Sequence, residues 1–182
     1  RFRNRFSAGK EFTATTYLLH RDFQSRQAFF DGGQVQFDRW VGGLMLQFVN
    51  DHQLFNRPNR FLIGVDYGMQ NDNRQRFNNN FGVRDTLNLS QIERVQSVGP
   101  FFRNEWNMLD KLDLVMGGRW DWLHYQVKDA FKTDGNQSGS RTVAQASGSI
   151  GLVYHLTEQQ QIYTHVASVF EAPTTTELLN NP

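Results

Sequence analysis

Two pairs of opposite charges stand two residues apart in the sequence: Arg103 with Glu105, and Arg119 with Asp121. Side chains at positions i and i+2 of a β-strand share a face, so each pair meets if its segment is extended. Such pairs can form a charged wall that contacts a passing ligand, or they can neutralise each other where water is scarce. We favour mutual neutralisation as their main role.

The remaining chemistry-bearing residues form no metal or catalytic pattern. Five histidines occur, at His20, His52, His124, His155 and His165. No H-E-x-x-H motif is present, although a turn predicted between His155 and His165 could bring those two together. Segment 129–140 fails as a calcium loop because Ala130 and Lys132 stand where carboxylates are required. No G-x-S-x-G or phosphate-loop motif occurs, so we expect neither an enzyme, nor a cofactor, nor a bound metal.

Composition narrows the classes of protein. The chain has 182 residues, a net charge of +1, no cysteine and 14% aromatic residues. A net charge of +1 does not indicate the clustered basic surface that nucleic-acid binding requires. The absence of cysteine excludes disulfides and thiolate metal sites. No run of about 18 apolar residues exists, so no transmembrane helix is expected. The mean hydropathy of −0.59 still suits a membrane β-barrel, whose strands expose only every second residue to lipid. The chain opens without a leader peptide, so an exported protein would have its N-terminus upstream.

Alternation of apolar and polar residues predicts strands along most of the chain. The clearest case is Phe61–Met69, which has Phe, Ile, Val, Tyr and Met at its odd positions. Its length matches the roughly 9–11 residues that a tilted strand needs to cross a membrane. Further strands are predicted at Phe12–Leu19, Trp40–Phe48, Ser97–Met108, Leu112–Val127, Val143–His155 and Gln161–Phe170.

The segment Leu112–Val127 indicates which face of these strands would meet lipid. Trp120 and Trp122 share the apolar face, whereas Arg119 and Asp121 lie on the other. An arginine on the lipid face at the midplane costs about 2–4 kcal/mol. We therefore expect the charges inside a barrel and the tryptophans outside, near the membrane interface.

Connections between the predicted strands alternate in length. Asn107–Lys111 and Leu156–Gln160 are short, and Val49–Arg60 is intermediate. The long polar stretches are Arg21–Gln34, Gln70–Gln91 and Lys128–Thr142. This alternation is typical of membrane barrels, which have short periplasmic turns and long outer loops.

The prediction is an all-β, antiparallel up-and-down transmembrane β-barrel to which this chain contributes about seven strands. Seven strands cannot close around a wide lumen, and each unpaired backbone group at an open edge in lipid costs several kcal/mol. The other strands are therefore expected outside this chain. The basic opening, Arg1–Phe6, is interpreted as a solvated turn or a strand end.

Several segments resemble TonB-dependent outer-membrane receptors, in the order in which that family's barrel has them. Gly117–Asp121 resembles a G-x-R-aromatic-D strand, and Phe101–Trp106 is similar to the strand before it. Tyr163–Thr174 resembles a Y-x-x-x-(A/S)-x-x-F-x-x-P-(T/S) segment, and Glu177 with Leu178 follows at the family's spacing. The resemblance implies one domain, residues 1–182, that is part of a barrel of about 22 strands. The family's plug domain is expected outside this chain.

The resemblance also implies a function, namely energised import across the outer membrane of a Gram-negative cell. The expected partners are outer-membrane lipid, a ferric siderophore or other chelated-metal ligand, and the TonB complex acting through the plug. Arginines attract anionic chelates and aromatic rings stack on flat ligands, so ligand contacts are expected in the long loops. The candidates are Arg26, Phe29, Phe30, Arg74, Arg76, Phe77, Phe81 and Arg84, and the expected lumen-facing charges are Arg103, Glu105, Arg119 and Asp121.

Other classes of protein stay open at this point. A passive porin would share the barrel but lack a plug, so the length of the full protein discriminates it. A soluble all-β carbohydrate-binding module would bury the face that carries Trp120 and Trp122 in a core. An outer-membrane enzyme is a weaker alternative, because no catalytic set of residues stands out.

Overall fold

One antiparallel sheet accounts for nearly all of the part of the chain that the computed structural model describes, residues 1–26 and 33–175. Each strand pairs with its neighbours in sequence, so the predicted all-β up-and-down topology is confirmed. The eight strands are β1 (Phe2–Ser7), β2 (Lys10–Ser25), β3 (Gln34–Leu54), β4 (Arg57–Asn80), β5 (Val83–Leu109), β6 (Leu112–Asp129), β7 (Gly139–His155) and β8 (Gln161–Ser168). A 3-10 turn, Lys132–Asp134, lies between β6 and β7. Within the described ranges, no helix has the length and apolar character needed to span a bilayer.

The basic opening of the chain is a strand, so the prediction of a turn or strand end there was wrong. β1 raises the number of strands from the predicted seven to eight. Arg3 and Arg5 both reach Glu11 of β2, at 2.6 and 3.1 Å, whereas Phe2 and Phe6 lie on the opposite face. The carboxylate of Glu11 thus compensates the positive charges of Arg3 and Arg5, so this basic sequence can form a strand.

Tight turns join the strands at one end of the sheet. The prediction of an intermediate link over Val49–Arg60 was wrong, because β3 continues to Leu54 and β4 begins at Arg57. The two turn residues, Phe55 and Asn56, both have positive φ, as a two-residue hairpin turn that matches the strand twist requires. The links β1–β2, β5–β6 and β7–β8 lie at the same end.

The opposite end of the sheet carries a long hairpin instead of the predicted loop. Most of Gln70–Gln91 is strand, because β4 runs to Asn80 and β5 starts at Val83. Phe81 and Gly82 form the turn, both with positive φ. β2 likewise continues to Ser25, beyond its predicted end. These extensions carry polar residues on both faces, so alternation could not reveal them.

Pairing and alternation divide the side chains between an aromatic face and a charged face. The aromatic face carries Trp120 and Trp122 of β6 and Ile150 of β7, which are 51%, 37% and 53% exposed. The charged face carries Arg119 and Asp121. Within the described chain no second sheet covers Trp120, which is the opposite of what a soluble sandwich would show.

The apolar stretch of the aromatic face shifts steadily from strand to strand. On β7 this stretch runs from Ala144 to Tyr154, and on β3 it runs from Trp40 to Phe48. When the pairings are followed from β7 to β3, the stretch moves by about five residues, roughly 17 Å along the strands against roughly 19 Å across them. For the apolar band to lie parallel to the membrane plane, the strands must tilt by about 40° from the barrel axis, within the 35–45° of membrane barrels.

Candidate functional site

An arginine held between two carboxylates lies at the centre of the charged face. Arg119 donates from Nη1 to Asp66 Oδ2 at 2.5 Å and from Nε to Asp121 Oδ1 at 2.6 Å. Gly99 makes room for the guanidinium, because a Cβ at that position would lie 2.2 Å from Arg119 Nη2. The sequence predicted the Arg119–Asp121 pair, but it missed Asp66, which reaches the arginine from β4 across β5.

The other predicted pair also forms within one strand. Arg103 Nε lies 2.8 Å from Glu105 Oε1. Both side chains are substantially exposed, at 60% and 42%. An ion pair with this much solvent exposure contributes little to the free energy of unfolding. The two charges therefore neutralise each other without stabilising the fold much. These two residues lie on the same face as Arg119, with Arg103 paired to Gly117 of β6.

Toward the long-hairpin end, four charged residues form what we call the outer charge cluster: Arg39, Asp72, Arg74 and Glu93. Arg39 donates from Nε and Nη2 to the Asp72 carboxylate, with the shortest contact at 2.5 Å. Arg74 donates to Glu93 at 3.2 Å. The two carboxylates are only 1% and 3% exposed, and a glutamine donates to each of them. Buried charges are tolerated when they are paired and hydrogen-bonded in this way.

The chain beyond β8 returns to the charged face beside this cluster. Tyr125 donates its hydroxyl hydrogen to the carbonyl oxygen of Pro173 at 2.7 Å. A cavity of about 470 Å³ lies between the returning segment and the outer charge cluster, lined by Tyr125, Pro173, Thr174 and Thr175 among others. β8 ends at Ser168, before Pro173, and the contact between Pro173 and Tyr125 follows only from the tertiary structure. Glu177 lies outside the described residues.

Five of the predicted ligand-contacting residues lie on the β4–β5 hairpin, but on two different faces. Phe77 and Arg84 meet on the aromatic side, with the guanidinium carbon 4.2 Å from the ring centroid. Arg76 lies on the charged side, paired with Val35, and donates to Asn88 at 3.0 Å. Arg74 is committed to Glu93 in the outer charge cluster. Phe81 occupies the turn and is 68% exposed.

The three other predicted ligand contacts lie around the β2–β3 connection. Arg26 follows the end of β2, is exposed, and donates weakly to Gln24 at 3.4 Å. Phe29 and Phe30 lie outside the described residues. β2 ends and β3 begins at the same end of the sheet as the hairpin. Ligand contact by all eight residues stays a prediction.

The histidines are distributed as single polar groups. His155 Nε2 lies 2.8 Å from Asp113, and His20 Nε2 lies 2.6 Å from Asp38. The approach of His155 to His165, which the predicted turn allowed, does not occur, because His155 pairs with Gln161 and His165 pairs with Gly151. Across residues 1–26 and 33–175, histidine and acidic side chains form no group of three that could hold a metal ion.

One carboxylate at the turn end of the sheet has a strongly shifted pKa. The hydrogen bond from Arg3 lowers the pKa of Glu11 to about 2, and Arg5 contributes in the same direction. Glu11 lies just before the segment that is predicted to cross the bilayer. It therefore stays ionised at any physiological pH and holds the two arginines of β1.

A single meander of tilted strands, with an exposed apolar face and a charged face on which most arginines are paired with carboxylates, defines the wall of a transmembrane β-barrel. The chain matches the family described as TonB dependent receptor-like, beta-barrel, over residues 1–182, and it belongs to that family. The predicted family and its location in the Gram-negative outer membrane are confirmed. Membership of this family also argues against the soluble-module alternative.

Solved receptors share this fold at low sequence identity. The siderophore receptor PiuA from Acinetobacter baumannii superposes with a TM-score of 0.74 at 13% identity, over 91% of this chain and 30% of that chain. The ferric citrate transporter FecA in its unliganded form gives 0.75 at 11%, over 90% and 25%. The open form of the ferric-catecholate import receptor Fiu from E. coli K12 gives 0.68 at 9%, over 91% and 34%. This chain thus spans between 25% and 34% of those proteins.

Proposed function

We propose that this chain forms wall and outer loops of a receptor that imports a ferric siderophore or a similar chelated-metal ligand across the outer membrane, energised through TonB. The observation that carries the proposal is membership of this barrel family, together with a charged face whose central arginines, Arg39, Arg74 and Arg119, are held in ion pairs within the sheet. Receptors for a siderophore, ferric citrate and ferric catecholates share the fold. The ligands named for those receptors support the substrate class.

The charged face is proposed to line the lumen and the aromatic face to contact outer-membrane lipid. Placing Arg119 and its two carboxylates against acyl chains would cost several kcal/mol, since a single arginine at the midplane costs about 2–4 kcal/mol. Trp120 and Ile150, by contrast, gain from contact with hydrocarbon. The orientation follows from this difference in transfer free energy.

Ligand recognition is proposed at the long-hairpin end, with Arg76 and Arg84 as the leading cationic contacts. Arg74 already faces Glu93, so its charge is neutralised locally. Arg76 and Arg84 donate to neutral amide oxygens, those of Asn88 and Gln36, and form no salt bridge to any acid in the described chain. A guanidinium without a carboxylate partner retains its attraction for an anionic chelate.

The proposal involves transport without catalysis, a single barrel domain over residues 1–182, and a plug supplied outside this chain through which the TonB complex acts. In support, the charged groups beside the cavity are held in ion pairs, as expected of a wall more than of an active site. No nucleic acid is expected as a partner.

Uptake of radioactive iron tests the transport claim. Cells that make the full-length protein as their only such receptor would be given ferric citrate, a ferric catecholate and a ferric hydroxamate in turn. Uptake of at least one should require TonB and collapse with a protonophore. Uptake that continues without TonB would indicate a passive pore and refute the proposal.

Binding to the purified full-length protein tests the recognition residues. Replacing both Arg76 and Arg84 by glutamine should weaken binding of the transported chelate by about tenfold or more for each charge-assisted hydrogen bond lost. Arg60→Gln, an exposed arginine at the tight-turn end, serves as the matched control. Equal weakening by both variants would locate recognition elsewhere while leaving the transport claim intact.

A further inference from the structure

Two cations stand together on the aromatic side of the sheet, beyond the apolar stretch. Arg94 of β5 pairs with Gln126 of β6, and Lys128 lies two residues further along β6 on the same face. They line one side of a cavity of about 490 Å³ that is completed by Ser138 and Ser140. The opposite face of the sheet holds the outer charge cluster, so this cavity is separate from the proposed lumen.

The acidic residues next to these cations point the other way. Glu93 precedes Arg94 but receives hydrogen bonds from Arg74 and Gln91 on the charged face. Asp129 follows Lys128, but its carboxylate accepts hydrogen bonds from backbone N–H groups of the β6–β7 connection.

The two cations therefore have no acidic partner among residues 1–26 and 33–175. Arg94 donates from Nε to the neutral side chain of Asn71 at 3.1 Å, and no carboxylate of the described residues pairs with it. Lys128 is exposed and forms no ion pair with the part of the chain that the structure describes. A site that presents two positive charges and hydroxyl groups without a carboxylate selects an anion with several acceptor oxygens.

Along β5 and β6, the side chains change from apolar to polar to cationic toward this site. A membrane lipid changes in the same order, from acyl chains through the polar interface to an anionic headgroup. Trp122 and its partner Val98 belong to the apolar stretch. His124 follows, stacked on Trp122 and hydrogen-bonded to Thr142 at 2.9 Å. Arg94 comes four residues beyond Val98, roughly 13 Å along a strand and about 10 Å in height after the tilt. Long basic side chains then bend back toward the interface.

We propose that Arg94 and Lys128 bind the phosphate group of a lipid in the outer leaflet, whose acyl chains run along Trp122 and Val98. The long-hairpin end faces outward because the tight turns are periplasmic in barrels of this kind. The surrounding hydroxyl and amide groups of Ser140 and Gln126 suit a sugar-phosphate headgroup. The bound lipid would fix the height of the β5–β6 wall in the membrane.

Lipid binding to the full-length protein in detergent tests the assignment, with a bisphosphorylated lipid A and its dephosphorylated form as the probes. Each cation near an anionic lipid surface contributes about fivefold in affinity, so Arg94→Gln with Lys128→Gln should weaken binding of the phosphorylated lipid about 20–30-fold. Raising the salt concentration should weaken wild-type binding and have little effect on the variant.

Arg141→Gln is the matched control, because Arg141 pairs with Tyr125 at the same height but on the charged face. It should change lipid affinity by less than about twofold, as should the charge-conserving Arg94→Lys with Lys128→Arg, if both charges act near the lipid surface. Equal binding of the dephosphorylated lipid, an equal loss in Arg141→Gln, or full competition by inorganic phosphate at the same concentration would overturn the proposal. A heat-modifiable band on gels confirms that each variant is folded.

Discussion

Replacing Gly99 by alanine should destabilise the barrel through an effect on Arg119. The added Cβ would lie 2.2 Å from Arg119 Nη2, 2.7 Å from Cζ and 2.9 Å from Asp121 Oδ1. Ordinary contacts begin above 3 Å, so the guanidinium must move by about an ångström. It cannot do so while keeping hydrogen bonds of 2.5 Å to Asp66 and 2.6 Å to Asp121.

The size of the effect follows from the bond that is lost. A hydrogen bond to a charged group contributes about 1.5–3 kcal/mol, and we expect one of the two to break. Alanine also restricts the unfolded chain, which returns about 0.4–1 kcal/mol. The free energy of unfolding of Gly99→Ala should therefore fall by about 1–2 kcal/mol.

Unfolding the full-length protein in lipid vesicles with guanidinium chloride measures this change in the free energy of unfolding. Gly42→Ala is the control, because its nearest neighbour would be a Leu18 methyl carbon at an ordinary 3.4 Å, so its stability should be unchanged or slightly raised. In an Arg119→Lys background the crowding is relieved, and Gly99→Ala should cost much less. A loss of the same size in both backgrounds would refute the argument that Gly99 exists to make room for Arg119.

Three further outcomes are expected. Asp72→Asn should lower the free energy of unfolding by about 2–4 kcal/mol, because it leaves Arg39 without its buried counter-charge. Asp38 pairs with His20 at the surface, so Asp38→Asn should cost less than about 0.5 kcal/mol. The same denaturant titration measures both. Ile150→Lys places a charge against lipid and should cost about 2–4 kcal/mol, measured as lost folding yield in vesicles, while Ser149→Lys on the charged face should fold nearly normally. Because the pKa of Glu11 is lowered to about 2 from 4.5, its stabilising contribution is complete above pH 4.5 and is lost as the pH falls to about 2. Glu11→Gln should remove that part of the pH profile of stability, and an unchanged profile would show that the Arg3 contact does not hold in solution.

The membrane-crossing half of the fold could be predicted from sequence because its two faces meet different solvents. Leu112–Val127 was predicted as a strand, and β6 runs from Leu112 to Asp129. Beyond the membrane both faces are wet, so alternation disappears although the hydrogen-bonded ladder continues. That is why the strand character of Gln70–Gln91 was missed.

The charged face could be predicted only where partners are neighbours in sequence. Arg119 and Asp121 are two residues apart on one strand, so their pairing follows from strand geometry alone. Arg39 and Asp72 are 33 residues apart, and their contact requires the register between β3 and β4. Tyr125 and Pro173 are 48 apart and are joined only after the chain has turned back from β8.

The β4–β5 hairpin behaves mechanically as a cantilever. Both strands run unbroken from the tight-turn end to Phe81, and the pairing slips only near Arg76, Phe77 and Asn79. Regular ladders resist bending, whereas a bulge loosens the strand locally. Sideways force on the tip should therefore flex the hairpin at that bulge, leaving the embedded part still, and would move Phe77 and Arg84 while Arg74 keeps its place.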